Sequence, residues 1–248
     1  MDSSEIAAEP DIEPASAPEP DPNRYPYATW SPWIAVGGAI MALIAGLLIA
    51  IPILAIAGGS DYDSLGWGAR AAIQLCTAIG FIGVPFVLAR ELGGRVNWRG
   101  AAGRLGFHSF DVKNAAKWIG IGFLAYIAFA IFYVVVFGEP KQDDIAGELG
   151  PIWSQILLIV ILAPLTEEIC FRGWLFGGFR TRFHLPVAAI GAGLVFGLLH
   201  YSTGISAVPQ LIVLGAIFAV VYEKTESLWP PIIFHMINNA YALTVLSS

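Results

Sequence analysis

Apolar residues in this chain come in long unbroken blocks, not in the alternation or three-and-four spacing by which an element turns one face to water. Trp33 to Ala57, Arg70 to Ala89 and Ala116 to Phe137 are the first three blocks. Each is close to the roughly 20 residues that a helix rising about 1.5 Å per residue needs to cross a hydrocarbon layer of about 30 Å. Ile152 to about Phe179 is the fourth, a fifth opens at Pro186 and carries His200, Val208 to Tyr222 is the sixth, and Pro231 to about Leu246 the seventh. Pro151, Pro186 and Pro231 stand where helices begin; proline suits a first turn because its missing N–H would have been unpaired there. The pattern predicts an all-α polytopic membrane protein with about seven or eight transmembrane helices, without the internal repeat of a duplicated transporter.

Residues 1 to 29 differ in kind. They are acidic and rich in Pro and Ala with hardly any large aliphatic side chain, so they bury too little to offset ordering entropy, and a disordered tail is expected. Their acidity and the late onset of the first apolar block argue against a secretory signal. Residues 30 to 248 form a single membrane domain: 56% of the chain is hydrophobic and 13% charged, against roughly 25% charged in soluble domains. The formal charge of -6 comes from the tail and does not describe the membrane part. No nucleic-acid partner is called for; the lipid bilayer is. The two cysteines, Cys76 and Cys170, both lie in apolar blocks, where a structural disulfide is not expected.

Alternating the spans from a cytoplasmic N-terminus places Arg24, the basic loop (Arg90, Arg95, Arg99, Arg104, Lys113, Lys117), Arg180, Arg182 and Lys224 on the inside. Only Arg70 and Lys141 fall outside, so the positive-inside bias selects this orientation. Loop 138 to 151 is acidic by contrast, and Trp30, Trp33, Trp118, Trp153 and Trp229 stand near span ends as interfacial anchors. An integral membrane protein results, of the plasma membrane if the source is bacterial.

Glu167, Glu168 and Arg172 interrupt the fourth block at Ala163 to Gly173, and no other acidic residue lies within a span. Charges at membrane depth are costly enough to ask for a function. Glu168 and Arg172 are four apart with the acid first, the favourable order for an ion pair on one helix face. Glu167 points about 100° away from Glu168 and lacks that partner. Pro164 weakens the ladder just before it and kinks the helix. Counted from the turn near residues 181 to 186, Glu167 lies about 13 residues back and His200 about 14 forward, so an antiparallel hairpin brings them to nearly equal depth. Phe196, one turn before His200, packs against its ring. His235, with Asn238 and Asn239 three and four residues on, begins a third polar group. It is shallower unless the fourth and fifth helices project past the bilayer at their shared turn, which would put the site a little below the cytoplasmic surface.

Glu-Glu-x-x-x-Arg at Glu167, Glu168 and Arg172, Phe-x-x-x-His at Phe196 and His200, and His-x-x-x-Asn at His235 and Asn239 together resemble the CPBP family of intramembrane glutamic endopeptidases. That family holds CAAX-processing proteases and bacterial relatives linked to bacteriocin processing and immunity. The resemblance covers about residues 150 to 245 and implies an endopeptidase site between helices four, five and seven. It implies that Glu167 and His200 activate a water, that His235 and Asn239 stabilise the oxyanion, and that Glu168, Arg172 and Phe196 support them. It also implies a peptide or protein substrate at the membrane, a prenylated CAAX-type C-terminus being one form, and no cofactor. An amide-hydrolysing base works best near neutral pKa, toward which burial moves carboxylates, and aimed donors stabilise a developing oxyanion by about 3 to 4 kcal/mol each.

Alternatives stay open. The same Glu167, His200 and His235 suit zinc; Cys170 is one turn from Glu167 and permits a Cys-His reading; and a non-catalytic immunity or scaffold protein would use the polar cluster only to fix helix packing. His108 and His184 fall in loops and are expected to be solvated. The chain has no His-Glu-x-x-His, no Gly-x-Ser-x-Gly and no aspartate within a span.

Overall fold

The structure, a computed structural model, describes residues 25–57, 64–140 and 146–246. Eight helices run through them: α1 (Pro32–Ala57), α2 (Trp67–Glu91), α3 (Trp98–Arg104), α4 (Val112–Phe137), α5 (Ile152–Arg180), α6 (Leu185–Leu199), α7 (Val208–Thr225) and α8 (Trp229–Leu246). Five stretches are long and apolar enough to cross a membrane: α1, α2, α4, α5 and Ile205–Thr225, which contains α7. α6 is short at 15 residues, and α8 carries His235, Asn238 and Asn239 among its apolar residues. Beside the short α3, the helices outside the set of five are α6, which ends just before His200, and α8, which carries His235.

α3 is an element that hydrophobic patterning does not announce, being seven residues long and containing two glycines. Asn97 starts it by accepting from the Gly100 N–H at 2.8 Å. Arg104 at its end donates to the carbonyls of Ala89, Leu92, Gly93 and Gly94, closing the C-terminal end of α2.

Large apolar side chains face outward along α1 and α4, with Leu124 70% and Val135 78% exposed, the reverse of a soluble protein and what a lipid-facing helix requires. Inside, small residues let backbones approach. α6 lies against α7 where a Cβ on Gly193 would stand 2.5 Å from the Ile212 carbonyl oxygen. The core is aromatic, with Phe171, Trp174, Phe176, Phe196, Phe218 and Phe234 fully buried.

The packed chain begins earlier than residue 30. Residues 1–24, where most of the expected acidic tail falls, lie outside the described residues, but Tyr25 to Trp30 form a strap across the ends of α5 and α7. Arg180 grips Glu223 with two nitrogens at 2.7 and 2.8 Å, and the Tyr25 hydroxyl donates to the same carboxylate at 2.5 Å. Burial first, then Tyr222 and Glu223 beside it, push the Tyr25 phenol above its ordinary value, so it stays a donor. Trp30 stacks on Trp174 at 4.2 Å and donates to its carbonyl at 2.9 Å, while the Trp174 indole donates to the Ala35 carbonyl at 2.8 Å. The bond from Tyr25 is what a purely compositional reading of the first 29 residues overlooks. Trp30→Ala is expected to cost about 3–5 kcal/mol, as large-to-small changes in a core do. Trp30→Phe keeps a ring in place and should cost about 1–3 kcal/mol for the lost donor. Unfolding midpoints of the detergent-solubilised protein check this; unchanged midpoints in both variants would show the strap to be peripheral.

Of the expected acidic loop, Lys141, Asp143 and Asp144 lie outside the described residues, and Glu148 pairs with Arg70 at 2.5 Å. His184 is exposed as expected. His108 is not simply solvated: its ring packs 4.0 Å from that of Tyr27 and its Nε2 meets the Gly103 carbonyl at 2.8 Å.

Candidate active site

Pro164 decides the local course of α5. A proline inside a helix lacks the N–H that would close its turn, and its ring crowds the carbonyl four residues back. Instead of breaking, α5 widens: Ile156–Leu162 is a π-helix, and the Ala163 N–H reaches the carbonyl of Leu158, five residues back. A short α segment, Ala163–Glu168, follows and carries both glutamates; a second π stretch, Ile169–Phe176, carries Arg172.

Glu168 and Arg172 form the expected pair, with Arg172 Nη1 2.8 Å from Glu168 Oε1 and both side chains at most 1% exposed. The guanidinium lies between the rings of Phe196 and Phe218, 4.6 and 4.9 Å from their centroids, and its Nη2 donates to the Gly215 carbonyl at 3.1 Å. Glu168 Oε1 also meets His235 Nδ1 at 2.9 Å. The pair therefore braces the third motif, not the first alone. Spacing within one helix could not show this, because the partner lies 67 residues away. Phe218, which stacks on His235 at 4.7 Å, sits in no polar motif that would have singled it out.

His200 stands just past the end of α6 with φ -95 and ψ 13, not inside a span. Short 3₁₀ turns at Tyr201–Thr203 and Ile205–Ala207 end the helix there, joined by Gly204 at φ 127, and the Thr203 hydroxyl donates to the His200 carbonyl at 2.8 Å. Its Nδ1 is 2.7 Å from the Phe196 carbonyl, and the Phe196 ring packs 4.6 Å from the imidazole.

These bonds assign the tautomers. A carbonyl and a carboxylate both accept, so each Nδ1 carries hydrogen, and each Nε2 is left as the free nitrogen. Both Nε2 atoms face Glu167 Oε2, at 4.0 Å from His200 and 3.8 Å from His235. Those separations exceed a direct hydrogen bond and match groups that share a bridging molecule. Glu167 is 15% exposed, His200 27% and His235 4%, so the site is open on the His200 side.

Asn239 takes a different place from the other motif residues. Its Nδ2 donates to the Ile159 carbonyl at 3.0 Å, while Asn238 Nδ2 lies 3.4 Å from Asn239 Oδ1. Cys170 is 1% exposed and lines an apolar cavity of about 100 Å³ with Phe81, Phe171, Val195 and Leu199. Among the described residues, no group of three or more His, Cys, Asp or Glu side chains is arranged to hold a metal ion.

A family model described as type II CAAX prenyl endopeptidase Rce1-like matches residues 149–241. The chain is 25% identical over 203 residues to YdiL of Bacillus subtilis, named a membrane peptidase, with 79% of this chain and 81% of the relative covered. It is 31% identical over 142 residues to the UPF0177 protein YxdF of Lactococcus lactis, covering 54% of this chain and 77% of the relative. To the membrane-embedded CAAX protease MroQ of Staphylococcus aureus it is 32% identical over 151 residues, 54% of this chain and 60% of the relative. No solved structure matches significantly.

Proposed function

Because the chain belongs to the Rce1-like type II CAAX prenyl endopeptidase family, we propose that it is an intramembrane endopeptidase in which Glu167 activates a water against a peptide bond. The observation that carries this reading is the facing of two imidazole Nε2 atoms onto Glu167 Oε2, with each Nδ1 tied to another acceptor. A water held between Glu167 and His200 gives a proton to the carboxylate as its oxygen attacks the scissile carbonyl carbon. The tetrahedral oxyanion is met by His235, which donates from Nε2 in the form that carries a proton on both nitrogens, with its Nδ1–H held by Glu168. Glu167 then returns the proton to the leaving nitrogen as the C–N bond breaks. No covalent intermediate forms.

The substrate is a membrane-associated polypeptide, a CAAX-type prenylated C-terminus being the form that the family description suggests. Seven helices cross the membrane, α6 and α8 as the short or polar ones, with the N-terminus in the cytoplasm and the site opening to that side. The protease core spans about residues 150 to 245 of a membrane domain beginning near residue 30.

The full chain reconstituted in vesicles and mixed with membranes from cells that lack it should generate new peptide N-termini, read by mass spectrometry. They should persist in a metal chelator and in Cys170→Ala. Loss on chelation with recovery on adding zinc would turn the reading to a metalloprotease, loss in Cys170→Ala to a thiol enzyme, and absence of new termini to a non-catalytic protein.

A further inference from the structure

Asn239 is turned toward the backbone of α5. In the π register that begins at Ile156, each carbonyl is met by the N–H five residues on, as Leu158 is by Ala163. The next carbonyl in that register belongs to Ile159, and the residue five places on is Pro164, which has no N–H. That carbonyl is the one to which Asn239 Nδ2 donates, at 3.0 Å. A backbone acceptor in a helix long and apolar enough to cross a membrane is rarely left unpaired, and here the donor withheld by the proline comes from another helix.

The orientation of the amide is accounted for as well. Asn238 Nδ2 approaches Asn239 Oδ1 at 3.4 Å, which leaves the Asn239 NH₂ directed at Ile159. His235 and Asn239 are four residues apart and share a face of α8. Through that face α8 holds α5 at two points, Ile159 before the segment Ala163–Glu168 and Glu168 at its end. Glu167 lies between the two.

We infer that Asn239 is a positioning residue, which replaces the N–H missing at Pro164 and so holds the π register of α5 that sets Glu167 against the two histidines. This rests on the proteolytic reading of Glu167, and it takes Asn239 away from the reacting atoms, where motif resemblance would put it. No bond to substrate is required of it.

The inference is tested by restoring the N–H. In Pro164→Ala the residue at 164 can itself meet the Ile159 carbonyl, which makes the Asn239 amide redundant; Pro164→Leu supplies the same N–H on a larger side chain should the alanine variant fold poorly. The readouts are the rate of appearance of new N-termini that depend on Glu167, and the thermal midpoint of the reconstituted full chain. Asn239→Ala should slow cleavage about tenfold beside Pro164, and less than about threefold in the Pro164→Ala background. Asn239→Asp, whose ionised side chain only accepts, should behave as Asn239→Ala does beside Pro164. The loss of thermal midpoint should shrink in the same way across the cycle. An equal penalty in both backgrounds, in rate and in midpoint, would overturn the inference and return Asn239 to the oxyanion. If no cleavage depends on Glu167 the protease reading fails instead, and the midpoints alone still decide whether Asn239 replaces the missing N–H.

Discussion

Glu167→Gln is expected to lower proteolysis by about a thousandfold, within the range typical for removing a general base, while leaving the fold in place. The two halves of this expectation come from different observations. The amide keeps the size and shape of the carboxylate but cannot take a proton from water at neutral pH. Stability should change by no more than about 1 kcal/mol, because Glu167 stands 3.8 Å from His235 and 4.0 Å from His200, beyond a direct hydrogen bond. The adjacent Glu168, at 0% side-chain exposure and bonded to both Arg172 and His235, is its opposite in every respect. Two neighbouring glutamates thus divide into one that is proposed to do the chemistry and one that is bonded into the packing of the site.

Arg172→Leu should damage the fold severely, destabilising it by about 3–5 kcal/mol, the cost of leaving a buried charge without its partner. Glu168 Oε2 has no hydrogen-bond partner even with arginine present, so all the compensation of this carboxylate runs through Oε1, to Arg172 and His235. Removing the guanidinium also frees the Gly215 carbonyl and opens the space between Phe196 and Phe218. Neutralising the remaining charge with Glu168→Gln in the same chain should recover part of the loss, since the penalty belongs to the unpaired carboxylate. Denaturant titration of the detergent-solubilised protein checks both. A loss under about 1 kcal/mol in the single variant would show that the pair of Glu168 and Arg172 does not hold the fold together.

The blocks of apolar sequence located α1, α2, α4, α5 and α7 closely, because a span must satisfy its backbone internally and stay apolar over most of its length, and both demands are written locally. α3 escaped for the converse reason: seven residues with two glycines carry no periodic signal, and what stabilises it is Arg104 reaching the carbonyls at the end of α2. The strap from Tyr25 to Trp30 depends on Trp174, 144 residues away from Trp30, and no local pattern reveals such a pairing.

For the site, equal depth along a hairpin was enough to suggest Glu167 beside His200, which stand 4.0 Å apart. The bond from His235 to Glu168 could not be reached that way, since it depends on how α8 is rotated against α5. The placement of Asn239 had a signal after all, in the five-residue step from Ile159 to Pro164, but one that speaks only when the helix is known to be in π register.

Everything proposed for this chain turns on Glu167 acting as the base that cuts a peptide bond. The most direct measurement of that role is the rate at which the reconstituted full chain, wild type and Glu167→Gln, generates new N-termini in membranes from cells lacking the protein, with thermal midpoints recorded on the same preparations. New termini should appear with the wild type and fall by about a thousandfold with Glu167→Gln at a nearly unchanged midpoint. Equal rates from the two preparations would contradict that role.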